Sequence, residues 1–355
     1  MRFIAMSSKA TVERERFLSL ADEERKDILQ TLGSRRGQSP AVLEKDVWAC
    51  WVLETLFAIP NVHPMAFKGG TSLSKVYNAI ERFSEDIDIT LDYRALLATA
   101  DPFKESITRS QLKKLTEQLR TAVAQYTREL VLPAFAAALR DQFGEGRYTA
   151  ELSPDGERLT IRYRPLFQTT YLTDQILIEF GGRNAIIPNV PFTVSPYIQV
   201  DLPDLEFPEA KATVLAAERT FWEKATLIHV ECNTAAVDKL ARKCRHWYDI
   251  YKLARLPVGE NAVKDRALLH DVVRHKQAFF YSSVAGYDAC LTGKLRLIPS
   301  AEMLRALERD FKRMQDEGMF YSNPPTFETI ISGLEQLELQ INSACADSKP
   351  ATTVE

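Results

Sequence analysis

Two short segments are the most informative part of the sequence: KGGTSLSK at residues 68–75 and RFSEDID at residues 82–88. The two glycines allow a tight turn whose backbone can approach a phosphate, and the helix that follows offers free N–H groups to an anion. Side chains alternate across a strand, so Asp86 and Asp88 are predicted to lie on the same face. Two neighbouring carboxylates repel each other unless a cation lies between them or they share a proton. A phosphate-binding turn next to a cation-binding pair indicates chemistry on a nucleotide.

These residues carry a resemblance to a known family. The string FKGGTSLSK at 67–75 with R-x-S-x-D-I-D at 82–88 resembles the AbiEii/AbiGii toxins, and the similarity spans residues 40–256. The helix that precedes the core of that family is matched by Glu44, Lys45, Asp46 and Trp48. Family members are nucleotidyltransferases of the DNA-polymerase-β-like superfamily and form the toxin half of bacterial toxin–antitoxin or phage-defence pairs. The resemblance implies an α+β fold, with a polymerase-β-like core built on a mixed sheet and a helical C-terminal domain.

Composition restricts the class of protein. The chain has 355 residues, of which 45% are hydrophobic and 26% charged, as in a soluble globular protein with an ample core. Its 48 acidic and 45 basic residues give a net charge of −3, so any RNA contact must be local, and no DNA partner is expected. No apolar run of about 18 residues is present, so no membrane contact is expected. The five scattered cysteines fit a reducing cytoplasm.

The pattern of apolar and breaker residues predicts the elements. A charged helix is expected at 11–32, and a second helix should begin at Pro40 after the N-cap Ser39 and stop before Pro60. A strand at 65–68, a helix at 71–82 and a strand at 86–91 follow. A long helical stretch at 102–143, interrupted at Pro133, leads to strands at 158–164, 175–180 and 197–201.

The same pattern predicts the domain boundaries. An N-terminal helical extension covers 1–35, and the nucleotidyltransferase core covers 36–210, with a proline-bearing hinge at 202–208. A helical C-terminal domain covers 211–342, and the small, polar tail at 343–355 is predicted to be disordered. The active site is expected in the cleft between the core and the helical domain.

The metal site is predicted around Asp86 and Asp88. Mg²⁺ binds through one or two carboxylates together with substrate phosphates, so Mg²⁺ or Mn²⁺ is the expected cofactor, with an NTP as substrate. The superfamily adds a third carboxylate on a neighbouring strand. Glu179 is the candidate because it interrupts an apolar run suited to burial, where an unpaired charge is costly. A plain position at a strand rim is the alternative for Glu179, and Asp201 is then the substitute.

The triphosphate is predicted to bind at the turn, through backbone N–H groups and hydroxyls of Gly69, Gly70, Thr71 and Ser72. The spacing is not that of a Walker loop. Lys75 lies one helical turn beyond Thr71 and either reaches a phosphate or stays on the solvated surface. Arg82 is expected to pair with a carboxylate or support the turn, in a structural role.

Two downstream residues acquire a role through the resemblance. The family carries a lysine that contacts the nucleotide phosphates, and Lys224 in ERTFWEK at 218–224 matches it; a lysine at the rim of a core helix is the alternative. Asp249 in RHWYDIYK at 245–252 matches an acidic residue near the family's active site. The chain has His246 where the family has an earlier aspartate, which leaves the role of His246 open.

An RNA-binding patch is predicted from cations interleaved with aromatic residues, because RNA ends are held by phosphate contacts and stacking. Its members are Lys239, Arg242, Lys243, Arg245, His246, Trp247, Tyr248, Tyr251, Lys252 and Arg255. Solvated basic helix ends would give the same pattern. The patch and the resemblance together favour a tRNA 3′ end, or another RNA, as acceptor.

The favoured hypothesis is a toxin that transfers a nucleoside monophosphate from an NTP to the tRNA 3′ end and thereby blocks translation, held in check by a cognate antitoxin. One alternative keeps the chemistry and changes the acceptor to a protein hydroxyl. Another is a nucleotide-binding module that sequesters a partner without catalysis. The Asp-x-Asp pair argues against that last alternative, since a pure binder has no need of clustered carboxylates.

Overall fold

The computed structural model of the chain describes residues 14–99, 101–168, 172–234 and 240–347. Helices and strands are mixed, as the α+β prediction requires. The strands are β1 (Glu15–Arg16), β2 (Met65–Lys68), β3 (Ile87–Leu91), β4 (Thr149–Leu152), β5 (Arg158–Arg162), β6 (Gln175–Gly181), β7 (Asn189–Val194), β8 (Leu205–Glu206) and β9 (Ala210–Leu215). The helices are α1 (Asp22–Arg36), α2 (Pro40–Ala58), α3 (Gly69–Lys75), α4 (Tyr93–Leu96), α5 (Arg109–Tyr126), α6 (Leu132–Phe143), α7 (Ala217–Thr234), α8 (Cys244–Ala254), α9 (Pro257–Lys264), α10 (Arg266–Phe279), α11 (Ala301–Asp316) and α12 (Phe327–Asp347).

Within these residues a seven-stranded mixed sheet has the order β4-β5-β6-β3-β2-β9-β7. β3, which carries Asp88 and begins one residue after Asp86, is the middle strand, antiparallel to β2 and parallel to β6. β2 is parallel to β9, and β9 is antiparallel to the edge strand β7. β1 and β8 form a separate parallel pair.

The two faces of the sheet have different chemistry because side chains alternate along each strand. Ile87, Ile89 and Leu91 of β3 enter a large apolar core that also contains Trp48 and Trp51 of α2. The residues between them point to the opposite face, which therefore carries the carboxylate of Asp88. Packing of the apolar face in the core fixes the strand and so positions its polar face.

A second apolar cluster lies among the C-terminal helices, with Trp222 and Trp247 fully buried in it. Leu73 of α3 and the following Ile80 and Phe83 belong to this cluster and not to the first. The turn and its downstream loop are thus anchored on the helical part of the chain. We propose on this basis the division into a core and a helical domain, with the sheet extended to the end of β9.

Several predicted elements are found and others are corrected. α2 begins at Pro40 after Ser39 and ends before Pro60, and β2 covers the predicted residues. The helix expected from residue 11 is wrong over its described first part: β1 and a 3₁₀ turn precede α1, and Phe17 stacks on Phe207 with ring centroids 4.9 Å apart. Adjacent buried residues at 17 and 18 do not fit one helix face.

Two further corrections lie close to the site. The helix predicted at 71–82 ends at Lys75, because the later residues form an antiparallel bridge between Arg82 and Phe320. The helical region predicted from residue 211 begins only at Ala217, since β9 pairs with β2 and β7 up to Leu215.

The remaining differences lie away from the site. The stretch predicted helical at 102–143 starts at Arg109 and contains a π-helical turn, Thr127–Val131, before Pro133 in the first turn of α6. The strand predicted at 197–201 is a 3₁₀ turn, Gln199–Asp201, and β4, β7 and β9 were not predicted. α12 extends to Asp347, so residues 343–347 of the predicted disordered tail are helical and the rest lies outside the described residues. Every helix in the described part of the chain is too short or too polar to cross a bilayer.

Candidate active site

The Gly69–Gly70 turn connects β2 to α3 directly beside the carboxylates. Gly69 has a φ of +81°, and a Cβ added there would lie 1.9 Å from Oδ2 of Asp88. A Cβ on Gly70 would lie 2.5 Å from the Ser84 hydroxyl and 2.8 Å from the Arg82 guanidinium. Only glycine permits this conformation and this approach. The turn brings its backbone against the side chain of Asp88, while the predicted contact of this backbone with a phosphate stays a prediction.

The hydroxyls of the turn are engaged within it. The Thr71 hydroxyl donates to the backbone carbonyl of Asp86 at 2.5 Å, and the Ser72 hydroxyl donates to the carbonyl of Gly69 at 3.0 Å. The Thr71 bond fastens the turn to the segment that carries the aspartates, and the Ser72 bond stabilises the turn itself. Thr71 and Ser72 were predicted to bind phosphate partly through their hydroxyls; their donor protons instead stabilise the turn, and the backbone N–H groups are the remaining donors.

Three carboxylates lie near one another at the sheet. β3 and β6 pair in register, with Asp88 opposite Glu179, so these two side chains share one face. Asp86 directly precedes β3, and its charge acts on both of them. Burial raises the pKa of Asp88, and the charge of Asp86 adds to the increase. Burial likewise raises the pKa of Glu179, with further contributions from Asp88 and Asp86. The three carboxylates therefore interact, and a cation placed among them would relieve their repulsion.

The donor set fits a hard divalent cation. Among the described residues, no group of three or more His, Cys, Asp or Glu side chains converges on one metal position. A closed protein cage is not what Mg²⁺ needs, because it binds through one or two carboxylates and takes water and substrate phosphate as its other ligands. Asp86 and Asp88 would supply that pair, and Glu179 lies opposite Asp88 on the neighbouring strand.

Asp201 does not join this group. It lies in the 3₁₀ turn, where its carboxylate pairs with Arg36 at 2.6 Å. Gln199 at the start of that turn donates its N–H to the carbonyl of Pro196, which bends the chain out of the sheet. The register of β6 with β3 favours Glu179 over Asp201 as the third carboxylate.

A buried triad of charges joins the turn to the C-terminal helices. Arg82 donates two hydrogen bonds to Asp249, both 2.7 Å, and the Lys224 ammonium lies 2.9 Å from Asp249 Oδ2. Asp249 is completely buried. Burial would raise its pKa, but Arg82 and Lys224 together lower it. Arg82 thus has the predicted structural role. Asp249 orients Lys224 through the contact between its carboxylate and the Lys224 ammonium.

Lys224 faces a cationic neighbourhood. Burial lowers its pKa, Asp249 opposes that change, and the nearby Arg82 and Arg245 add to the decrease. Its ammonium lies 3.5 Å from Nδ1 of His246, whose pKa is well below its usual value, chiefly because of burial. His246 is therefore neutral at physiological pH and can accept a hydrogen bond from Lys224. Lys224 is a partly desolvated cation close enough to lower the pKa of Asp88.

Other predicted residues lie elsewhere or have different roles. Lys75 neither reaches the turn nor lies on the surface: it forms a buried ion pair with Asp46 and lies 4.0 Å from the ring centre of Tyr197. The predicted stacking surface for RNA is wrong, because Trp247, Tyr248 and Tyr251 are buried in the core of the helical region. These aromatic residues have helical spacing and pack inward. Lys239 lies outside the described residues.

The structure brings to the site one residue for which the sequence predicted no role and one that the sequence placed in the RNA-binding patch. Lys68 was quoted within the motif without a role, yet it pairs in register with Asp88 and forms an ion pair with Glu223 at 2.8 Å. Arg245 lies 3.7 Å from Asp86. The alternation that predicts the aspartate face could have placed Lys68, but only once the register of β2 and β3 was known.

Replacing Gly69 with alanine should lower both stability and activity, and Gly37→Ala is the matched control. Gly37 also has positive φ, +64°, but nothing lies within 4 Å of an added Cβ, so its substitution costs only the left-handed strain of about 1–2 kcal/mol. Gly69→Ala must in addition displace Asp88, and a misplacement of this kind lowers activity about 100-fold. Urea unfolding and nucleotide incorporation measure the two effects; equal activity of the two variants would contradict the assigned role of the turn.

The chain is similar to proteins of a known family. A family profile described as nucleotidyl transferase AbiEii toxin of type IV toxin–antitoxin systems matches residues 51–332, most of the chain. Among solved structures, MenT4, a nucleotidyltransferase toxin from Mycobacterium tuberculosis H37Rv, is similar at 16% identity and a TM-score of 0.44, covering 90% of this chain and 98% of that one. No curated protein matches the chain significantly. The profile match, over a region that contains the turn, the aspartates and the buried triad, shows that the chain belongs to the AbiEii nucleotidyltransferase toxins of type IV toxin–antitoxin systems.

Proposed function

We propose that this nucleotidyltransferase toxin transfers a nucleoside monophosphate from an NTP to the 3′ end of tRNA, in a Mg²⁺-dependent reaction that blocks translation. The observation that carries the proposal is the approach of Gly69 to Asp88, which sets a phosphate-binding turn against a cation-binding carboxylate. Family membership implies an NTP substrate and a cognate antitoxin. The tRNA acceptor and the choice of Mg²⁺ are our inferences from the resemblance and the donor set.

Asp86 and Asp88 would hold the divalent ion, with Glu179 as the neighbouring carboxylate. An ion bound there supplies positive charge that neutralises the triphosphate and orients the reacting groups. Mn²⁺ shares the preference of Mg²⁺ for carboxylate and water oxygens and would fit the same residues.

The residues of the chain bind and orient the substrate. In the proposed reaction the acceptor hydroxyl oxygen forms a bond to the α-phosphorus, its proton passes to solvent, and the bond from the α-phosphorus to the bridging oxygen breaks to release pyrophosphate. Backbone N–H groups of Gly69 and Gly70 bind phosphate oxygens, and Lys224 offsets the negative charge that grows in the transition state. Asp249 acts as a positioning residue. Arg82 donates to both oxygens of its carboxylate and so fixes the group that holds Lys224.

An RNA acceptor is supported by a cavity next to Asp86. The cavity has a volume of about 220 Å³ and is lined by three arginines and three carboxylates: Arg242, Arg245, Arg313, Glu85, Asp310 and Glu317. Arg242 is paired with Glu85 at 3.4 Å, and Arg245 connects the cavity to the aspartates through its 3.7 Å contact with Asp86. An RNA end would therefore depend on Arg245 and Arg313, whose guanidinium groups suit phosphate oxygens.

Incubation with α-phosphate-labelled NTPs, Mg²⁺, total RNA and total protein should place the label on RNA of tRNA size. The double variant Asp86→Ala/Asp88→Ala should give no labelled RNA, because it lacks the ligands for the ion, and a chelator should have the same effect on the wild type. Sequencing of RNA 3′ ends then identifies the nucleotide added. Labelled protein bands in place of RNA would instead identify a protein hydroxyl as acceptor, and equal labelling by wild type and variant would remove the proposal.

A further inference from the structure

A second group of charges adjoins Asp88 through Lys68. Lys68 pairs in register with Asp88 and binds Glu223 of α7 at 2.8 Å. Arg219, one helical turn before Glu223, lies 3.6 Å from it and forms a 2.6 Å ion pair with Asp271 of α10. These four residues connect the carboxylate face of the sheet to α10, and none of them has a role in the reaction described above.

Lys276 of α10 completes this group. It lies 4.7 Å from the ring centre of Phe280, and Arg183, which follows β6, lies 5.2 Å from the same ring. The described part of the chain gives Lys276 no carboxylate within ion-pair distance. Burial lowers its pKa to about 8; Glu223 opposes the decrease, and the charges of Lys68, Arg219 and Arg183 add to it.

Among the described residues, Lys276 is the cation of this group that has no carboxylate at ion-pair distance. Arg183 lies 3.9 Å from Glu157, which Arg120 also binds. Lys68 pairs with Glu223 and lies beside Asp88, whose pKa its charge lowers. Arg219 pairs with Glu223 and Asp271. His275 does not add to the charge, because burial lowers its pKa. A half-buried cation without a partner beside a nucleotide site is unfavourable unless an anion binds to it.

We propose that Lys276, together with Lys68, binds the terminal phosphates of the NTP and the pyrophosphate that they become. The inference rests on the proposed function, because it assigns the triphosphate a direction: the α-phosphate lies at Asp86 and Asp88, and the chain of phosphates extends past Lys68 toward α10. The acceptor then approaches from the Arg245 side, opposite the leaving group. Lysine suits this position, since it is a mobile point charge that can follow the departing pyrophosphate.

The proposal is tested by measuring the affinity of Lys276→Gln for an NTP, for the matching NMP and for inorganic tripolyphosphate by calorimetry with Mg²⁺. Affinity for the NTP and for tripolyphosphate should fall about tenfold or more, because a hydrogen bond between charged groups is lost, and affinity for the NMP should not change. Lys276→Arg should recover part of the loss. Lys264→Gln is the matched control, since Lys264 is exposed on α9 and pairs only with Glu260 of its own helix.

A purely structural Lys276 would behave differently. If it served only as a counter-ion for Glu223, Lys276→Gln would lower the melting temperature and leave the difference between NTP and NMP affinity intact. The proposal predicts the reverse: because the folded protein disfavours the charged form of Lys276, the neutral variant should be at least as stable as the wild type.

The outcomes separate this inference from the proposed function. Equal NTP affinity of wild type and Lys276→Gln, with normal nucleotide transfer and an unchanged KM for the NTP, would overturn the phosphate site and leave the function standing. Selective loss of tripolyphosphate binding in a protein that transfers no nucleotide would overturn the function and leave the phosphate site standing.

Discussion

Replacing Asp88 with asparagine should reduce nucleotide transfer by roughly three orders of magnitude or more while leaving the protein at least as stable as the wild type. The loss of activity follows because the amide removes the charge that holds the divalent ion. The gain in stability follows because burial and the charge of Asp86 raise the pKa of Asp88 in the folded state, so its ionised form is disfavoured there at neutral pH. Incorporation of labelled nucleotide and thermal melting measure the two effects.

Magnesium provides an independent readout of the same substitution. Mg²⁺ should raise the melting temperature of the wild type through binding to the folded state and should not raise that of Asp88→Asn. Asp201→Asn is the matched control, since Asp201 pairs with Arg36 away from the carboxylates, and its activity and Mg²⁺ response should be unchanged. Activity of Asp88→Asn within tenfold of the wild type would rule out the metal pair.

Replacing Asp249 with alanine should cost about 3–5 kcal/mol of unfolding free energy and abolish activity. Asp249 is completely buried and accepts from two cations, so its removal leaves both of them without a counter-charge. Lys224 can respond by losing its proton, but Arg82 cannot, because guanidinium remains charged in proteins. Urea unfolding followed by tryptophan fluorescence measures the loss; a change below about 1 kcal/mol would contradict the assigned role of the triad.

Lys224→Met separates the two functions of the triad. It leaves the bidentate pair of Arg82 and Asp249 intact and removes a cation whose charged form burial disfavours, so stability should change little. Nucleotide transfer should nevertheless fall about 100- to 1,000-fold, because the transition state loses a stabilising charge. Loss of stability in Asp249→Ala together with loss of activity alone in Lys224→Met is the expected pattern.

Local sequence patterns predicted the structure correctly where it depends on residues of a single helix or strand. The Ser39–Pro40 start of α2 and its end before Pro60 follow from capping and breaker residues. Alternation along the strand also places Asp88 on the polar face of β3, although Asp86 lies just before the strand begins. The helix predicted at 71–82 failed because its second half packs against the C-terminal helices through Ile80 and Phe83 and through the bridge to Phe320, which are contacts distant in sequence.

The Gly-Gly turn, the aspartate pair and the amphipathic helices could be predicted from local sequence, since each depends on residues within a few positions of one another. The ion pairs, in contrast, depend on the tertiary structure. Lys75 pairs with Asp46, Asp201 pairs with Arg36, and Lys68 lies beside Asp88 because of the register of their strands. A buried charged side chain is stable only beside an opposite charge. In each of these cases the opposite charge comes from a segment distant in sequence, and a local sequence pattern does not show which distant segments meet in the fold.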